Sequence, residues 1–162
     1  MISETGGGKE MNKKGVTLIE LIVVFVIIAI AAGLLAPNVG GWLPRYRLRS
    51  ATRDIVSTMR DAQMKAVSRR LQYQVDFNGP PANSYILQYI TTGGWVDEGA
   101  RQTAPSGITV NIAGLPGGIA TFNTDCTCPN AGNITLSYQK GGVTQAQKGI
   151  LINPATGRVT IQ

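Results

Sequence analysis

The sequence predicts an α+β chain in which a long N-terminal helix, membrane-spanning in its first half and amphipathic in its second, packs on an antiparallel β-sheet domain. Three observations carry this. Leu21 to Ala36 is an unbroken apolar run. Leu48, Ala51, Ile55, Met59, Ala62, Ala66 and Leu71 then recur at mostly three- and four-residue spacing, which is one apolar face of a helix. From Tyr73 onward, short β-prone runs alternate with Gly, Pro and Asn turns, as strands of an antiparallel sheet do.

The first element has two ordinary readings. A secretory signal peptide has a basic start, an apolar core of roughly 7–15 residues and a small-residue cleavage site. Lys13 and Lys14 supply the start, and Ala29-Ile30-Ala31 passes as the site. A spanning helix needs about 20 mostly apolar residues, and Val16–Ala36 has that length. Glu20 separates the readings better. An ionisable group at mid-bilayer costs on the order of 2.5–3.5 kcal/mol, less near the interface. A bare anchor or signal peptide gains nothing from that, so Glu20 needs a partner or a purpose.

The second element follows a predicted break. Pro37 and Gly40-Gly41 are expected to kink or loosen the helix, and Pro44 to break it again. Beyond them, Arg45, Arg47, Arg49, Arg53, Arg60, Lys65, Arg69 and Arg70 fall off the apolar face, opposed only by Asp54 and Asp61. They read as a solvated helix surface. Strands are expected at Gln72–Phe77, Ser84–Ile90, Ile108–Ile112, Ile119–Asn123, Ile134–Gln139, Gly149–Ile152 and Arg158–Ile161. Asp97-Glu98, beside Trp95, is expected in a loop. The organisation is therefore an N-terminal segment over 1–15, a transmembrane helix over 16–36, its amphipathic continuation over 37–72 and a β-rich domain over 73–162.

Composition bounds the chemistry. A chain of 162 residues has room for one globular domain and little more. Its net charge is +6, and it has no histidine, which removes the usual general base and the commonest metal ligand. Cys126 and Cys128 are too few for a disulfide scaffold or a zinc site and read as free or locally bridged structural thiols. Acidic residues are scattered, and the Gly pairs read as turns rather than phosphate cradles. No catalytic residue, metal or cofactor is expected, and the chain is not read as an enzyme.

The stretch Lys13-Lys14-Gly15-Val16-Thr17-Leu18-Ile19-Glu20-Leu21 resembles the type III signal of type IV pilins and pseudopilins. That signal is a short basic leader ending in Gly, followed by a hydrophobic stretch whose fifth residue is Glu. Pro37 resembles a proline common in these subunits, whereas Val16 stands where the family more often has Phe or Met. Met11 would open a leader of the short kind usual in the family, so translation is expected to begin there. The resemblance implies that a prepilin peptidase cuts between Gly15 and Val16 on the cytoplasmic side and methylates the new Val16 amino group. The lysines before the cut would keep that end inside, leaving the C-terminal domain periplasmic or extracellular. It further implies that Glu20 pairs with the N-terminus of a neighbouring subunit and so selects register.

Most of the chain also resembles, more loosely, the H-type minor pseudopilins and FimT-like minor pilins. The shared features are Arg69-Arg70 closing a basic helix, Thr121-Phe122-Asn123 before a Gly-containing loop, Ile134–Ser137, and the closing Asn153-Pro154-Ala155-Thr156-Gly157-Arg158-Val159. The function implied is a minor pilin or pseudopilin of a type II secretion system or type IV pilus. Its implied partners are other subunits, the prepilin peptidase and the inner membrane. Two alternatives stand beside it. Some FimT-like pilins serve DNA uptake through a C-terminal Gly-Arg-x-Arg element; here Gly157-Arg158-Val159-Thr160 keeps only Arg158, and phosphate binding depends on clustered cations. The other is a signal-anchored periplasmic binding domain that never polymerises.

Overall fold

The computed structural model describes residues 15–35 and 39–162; the leader before Gly15 and the break expected at Pro37 lie outside them. The chain divides into two compact units at Val39/Gly40.

The first unit holds α1, Leu18–Leu35. Thr17 caps it: its Oγ1 accepts the backbone N–H of Glu20 at 3.3 Å, and the Thr17 carbonyl accepts from Leu21 at 3.2 Å. Thr17 and Glu20 thus stand in the spacing of a capping box. Val16 and the large apolar residues from Leu18 to Ile30 are all exposed. A helix apolar on every side requires cover along its whole length. Among the described residues, no helix is long and apolar enough to cross a membrane; at about 1.5 Å per residue, the 18 residues of α1 rise about 27 Å.

In the second unit, α2 runs from Val39 to Arg69. It passes through Gly40, Gly41 and Pro44, so the break expected at Pro44 is absent from the helix. Proline's φ suits a helix, and in the second turn its missing N–H removes only the bond to residue 40. The expected apolar face is the observed one. Leu48, Ala51, Ile55, Met59, Ala62 and Ala66 are all buried, joined by Thr52 and Val56. Leu71 is not part of it. Arg70 adopts a left-handed conformation, φ 54°, which ends the helix as a C-terminal cap does and leaves Leu71 exposed.

Eight strands follow: β1 (Tyr73–Asp76), β2 (Ser84–Thr91), β3 (Gly94–Thr103), β4 (Ile108–Gly114), β5 (Ile119–Phe122), β6 (Asn133–Lys140), β7 (Val143–Ile152) and β8 (Val159–Ile161). They form two four-stranded antiparallel sheets, ordered β3-β2-β1-β5 and β4-β6-β7-β8. Period-two burial marks the inward faces: Tyr73, Val75 and Phe77; Ala120 and Phe122; Ile134 and Leu136; Ile150 and Ile152. These side chains and the α2 face form one hydrophobic core.

Two strand expectations are corrected. Asp97 and Glu98 lie on β3, paired with Gln88 and Leu87, not in a loop. The first half of β7, Val143–Lys148, is also strand and pairs with Leu136–Lys140. The Gly141-Gly142 turn joining β6 to β7 has positive φ at both positions, 61° and 78°, which tight hairpins demand.

Candidate functional site

At the N-terminal end, Gly15, Val16 and Thr17 precede the first turn of α1 and are exposed. Gly15 has no positive φ, and a Cβ built on it would meet nothing within 4 Å. Folding among the described residues therefore places no demand for glycine there. Glu20 sits in the first turn of α1, exposed, with its backbone N–H held by Thr17. Among the described residues its carboxylate has no ion-pair partner. Gly15, Val16 and Glu20 thus lie on one short exposed stretch, each open to an outside partner. Thr17 is the member that sequence reasoning missed; a Thr three residues before a Glu at a helix start was the available signal.

Arg158 is exposed in the turn between β7 and β8. That turn is tied to α2: Gln63 Nε2 donates to the Thr156 carbonyl at 2.9 Å and Arg60 Nη2 to the Val159 carbonyl at 3.4 Å. A shallow groove of about 710 Å³, lined in part by Arg53, Val56, Arg60, Met64 and Ile161, runs beside it. Arg49, Arg53 and Lys148 line a neighbouring depression of about 260 Å³. Arg158 lines neither of them.

The opposite side of α2 is held by charge. Lys65 Nζ lies 2.8 Å from Asp61 and 3.1 Å from Glu98, and Arg69 Nη1 lies 3.4 Å from Glu98. Arg69 also donates to the Tyr73 hydroxyl at 2.9 Å. The Asp61 hydrogen bond, opposed by burial and helped by Glu98, holds Lys65 above the ordinary lysine range. Nearby, burial pushes the Tyr85 phenol up to about 12, and its hydroxyl donates to Gln102 at 2.8 Å. Glu98, held by Lys65 and Arg69, and Tyr73, held by Arg69, fasten α2 to the sheet. Among the described residues, no group of three or more His, Cys, Asp or Glu side chains is placed to hold a metal.

Cys126 and Cys128 are both free thiols, the first half-buried and the second fully buried. Burial pushes the Cys128 thiol up to about 11. At pH 8 Cys128 is therefore held almost wholly as the unreactive thiol rather than the thiolate, the reactive form. Ellman's reagent is therefore expected to titrate one thiol in the native chain and a second only after denaturation. Two fast equivalents would mean that the loop does not shield Cys128.

Residues 11–36 match the family model of the prokaryotic N-terminal methylation motif. The fold of the chain also has likenesses among solved structures. The chain is similar to the minor pseudopilin EpsH from the Type 2 Secretion System of Vibrio cholerae, with a TM-score of 0.59 at 10% identity, over 72% of this chain and 96% of that one. It is also similar to the type IV minor pilin FimU of Pseudomonas aeruginosa, with a TM-score of 0.55 at 17% identity, over 73% and 90% respectively. At such identities the likeness is one of fold. No curated protein matches the chain significantly.

Proposed function

We propose that the chain is a minor pilin or pseudopilin, a structural rather than catalytic subunit of a type IV pilus or type II secretion pseudopilus. The observation that carries the reading is the unmet demand of its N-terminal stretch. Gly15 is a glycine that local folding does not require. Five residues on, Glu20 is a carboxylate without a partner among the described residues, in a helix exposed on every side. A peptidase that reads Gly15 and a filament that covers α1 and pairs Glu20 would answer all three.

The role assigned to each residue follows from this. Prepilin peptidase cuts between Gly15 and Val16 and methylates the Val16 amine. The apolar stretch from Val16 anchors the subunit in the inner membrane by a single pass, with small thickness mismatches absorbed by the bilayer. Lys13 and Lys14 keep the leader cytoplasmic, so the second unit, the head of the subunit, faces the periplasm or exterior. In the filament, Glu20 pairs with the N-terminus of a neighbour. Nucleic-acid binding gains no support, because Arg158 does not line the depression formed by Arg49, Arg53 and Lys148.

Mass spectrometry of the mature N-terminus tests the reading. N-methyl-Val16 is expected, and Gly15→Leu should leave the uncut precursor. An intact N-terminus, or one starting after Ala31, would instead identify a signal-anchored domain that does not polymerise.

A further inference from the structure

The first turns of α2 carry a surface that the core does not use. Trp42, Leu43 and Tyr46 are exposed, Trp42 at 65% and Tyr46 at 56%. The Trp42 and Tyr46 rings stack with centroids 5.3 Å and planes 23° apart, so one turn of helix presents a single aromatic plate. Arg49 and Arg53 follow on the same helical stripe, with Arg45 one turn after Trp42, and all three are exposed. The first acid in α2 is Asp54, and among the described residues no salt bridge engages Arg45, Arg49 or Arg53.

Two physical points say what would cover this surface. Exposed Trp and Tyr with apolar bodies and polar tips suit the headgroup layer of a bilayer, where one end is dry and the other wet. Unpaired guanidinium groups suit phosphate, which they bind through parallel hydrogen bonds. The charge order strengthens the case. Arg45, Arg47, Arg49 and Arg53 follow the apolar segment that Lys13 and Lys14 precede. Cations on the far side of a span work against the orientation bias set by those before it, so they are a disadvantage unless they engage something there.

We propose that the Trp42–Tyr46 plate, with Arg45 and Arg49, docks on the headgroups of anionic phospholipids and holds the base of the head on the membrane until the subunit enters a filament. This rests on the membrane-anchored reading above. The aromatic plate supplies interfacial burial, and the arginines supply selectivity for anionic lipid. Near an anionic surface each arginine shifts the docked-to-undocked ratio about fivefold.

The full-length chain carrying Trp95→Phe leaves Trp42 as the sole indole, and Trp42→Phe in the same background supplies the blank. In vesicles of phosphatidylcholine and phosphatidylglycerol at three to one, Trp42 emission should shift to the blue. Lipids brominated near the headgroup should quench it more than deeply brominated ones. Omitting phosphatidylglycerol should weaken both effects, and Arg45→Gln with Arg49→Gln should lower the docked-to-undocked ratio about 25-fold. Water-like, unquenched Trp42 in vesicles from which carbonate does not extract the chain would overturn the docking while sparing the anchor. Quenching indifferent to phosphatidylglycerol and to both arginines would overturn it too. A Trp42 shift seen only in assembled filaments would assign the plate to a neighbouring subunit. Extraction by carbonate would remove the anchored reading, and the docking with it.

Discussion

Replacing Glu20 by alanine should leave the chain inserted and processed but remove it from filaments. Insertion survives because deleting a carboxylate from an apolar helix lowers the transfer penalty. Helix α1 survives because Thr17 Oγ1 holds the residue-20 backbone N–H rather than its side chain, and alanine is the better helix former. Processing should survive because the proposed cut, between Gly15 and Val16, lies upstream of Glu20. In the pairing proposed, assembly should fail, because a neighbour's positive N-terminus would be left in an apolar bundle without its counter-charge. Removing one partner of a buried pair costs about 3–5 kcal/mol, so incorporation should fall at least about 100-fold. Sheared filaments probed for the subunit, alongside mass spectrometry of the membrane-held pool, give the readout. Glu20→Gln keeps the shape and loses the charge, so it should fail as badly. Normal incorporation of either variant would sink the pairing role.

Gly157→Ala should be strongly destabilising to the β-rich domain. Gly157 is buried in a left-handed conformation, φ 59°, between β7 and β8, and its N–H donates to the Asn153 carbonyl at 2.8 Å. A Cβ there would strike the Cys126 carbonyl and lie 3.0 Å from the Gln63 amide, which is bonded to Thr156. Left-handed strain costs about 1–2 kcal/mol, and displacing a backbone carbonyl adds to it. We expect a loss of about 3 kcal/mol and a fall in melting temperature of about 10 °C. Gly117→Ala is the control. Its φ is 66°, yet a Cβ there meets nothing within 4 Å, so only strain, about 1 kcal/mol, should appear. Circular-dichroism melts of the full chain in detergent compare the two. Equal losses would show that the close approach to Cys126 is immaterial.

The accuracy of the sequence reading varied with how one-sided each element is. The α2 face from Leu48 to Ala66 was legible because its periodicity is uninterrupted by polar residues other than Thr52 and because one side alone is buried. Leu71 kept the rhythm but not the helix, since the stop is a left-handed Arg70, a conformation usually signalled by glycine. Strand β3 was missed because it is an edge strand, largely exposed, with Asp97, Glu98 and Arg101 along it; no apolar alternation marks such a strand. Its identity comes from the partners it finds, with Glu98 reaching Lys65 and Arg69 across to α2. The outer half of β7 was missed for the same reason, although Gly141-Gly142 marked its hairpin. The Trp42–Tyr46 stack was legible as an i,i+4 aromatic pair and went unread.

By itself the sequence determined the N-terminal stretch, with Gly15, Val16 and Glu20 at fixed separations ahead of and within an apolar helix. In the function proposed, that stretch would be read along the chain by an outside partner, so linear spacing carries its information. Only the tertiary structure decided how the strands are shared between two sheets. After β3 the chain leaves the first sheet for β4, returns to lay β5 beside β1, and leaves again to place β6 beside β4. Backbone ladders are chemically alike for every strand pair. The choice of partner therefore rests on which inward faces, Tyr73 and Phe122 on one sheet, Ile134 and Ile150 on the other, close one core against α2. No local stretch of sequence contains that choice.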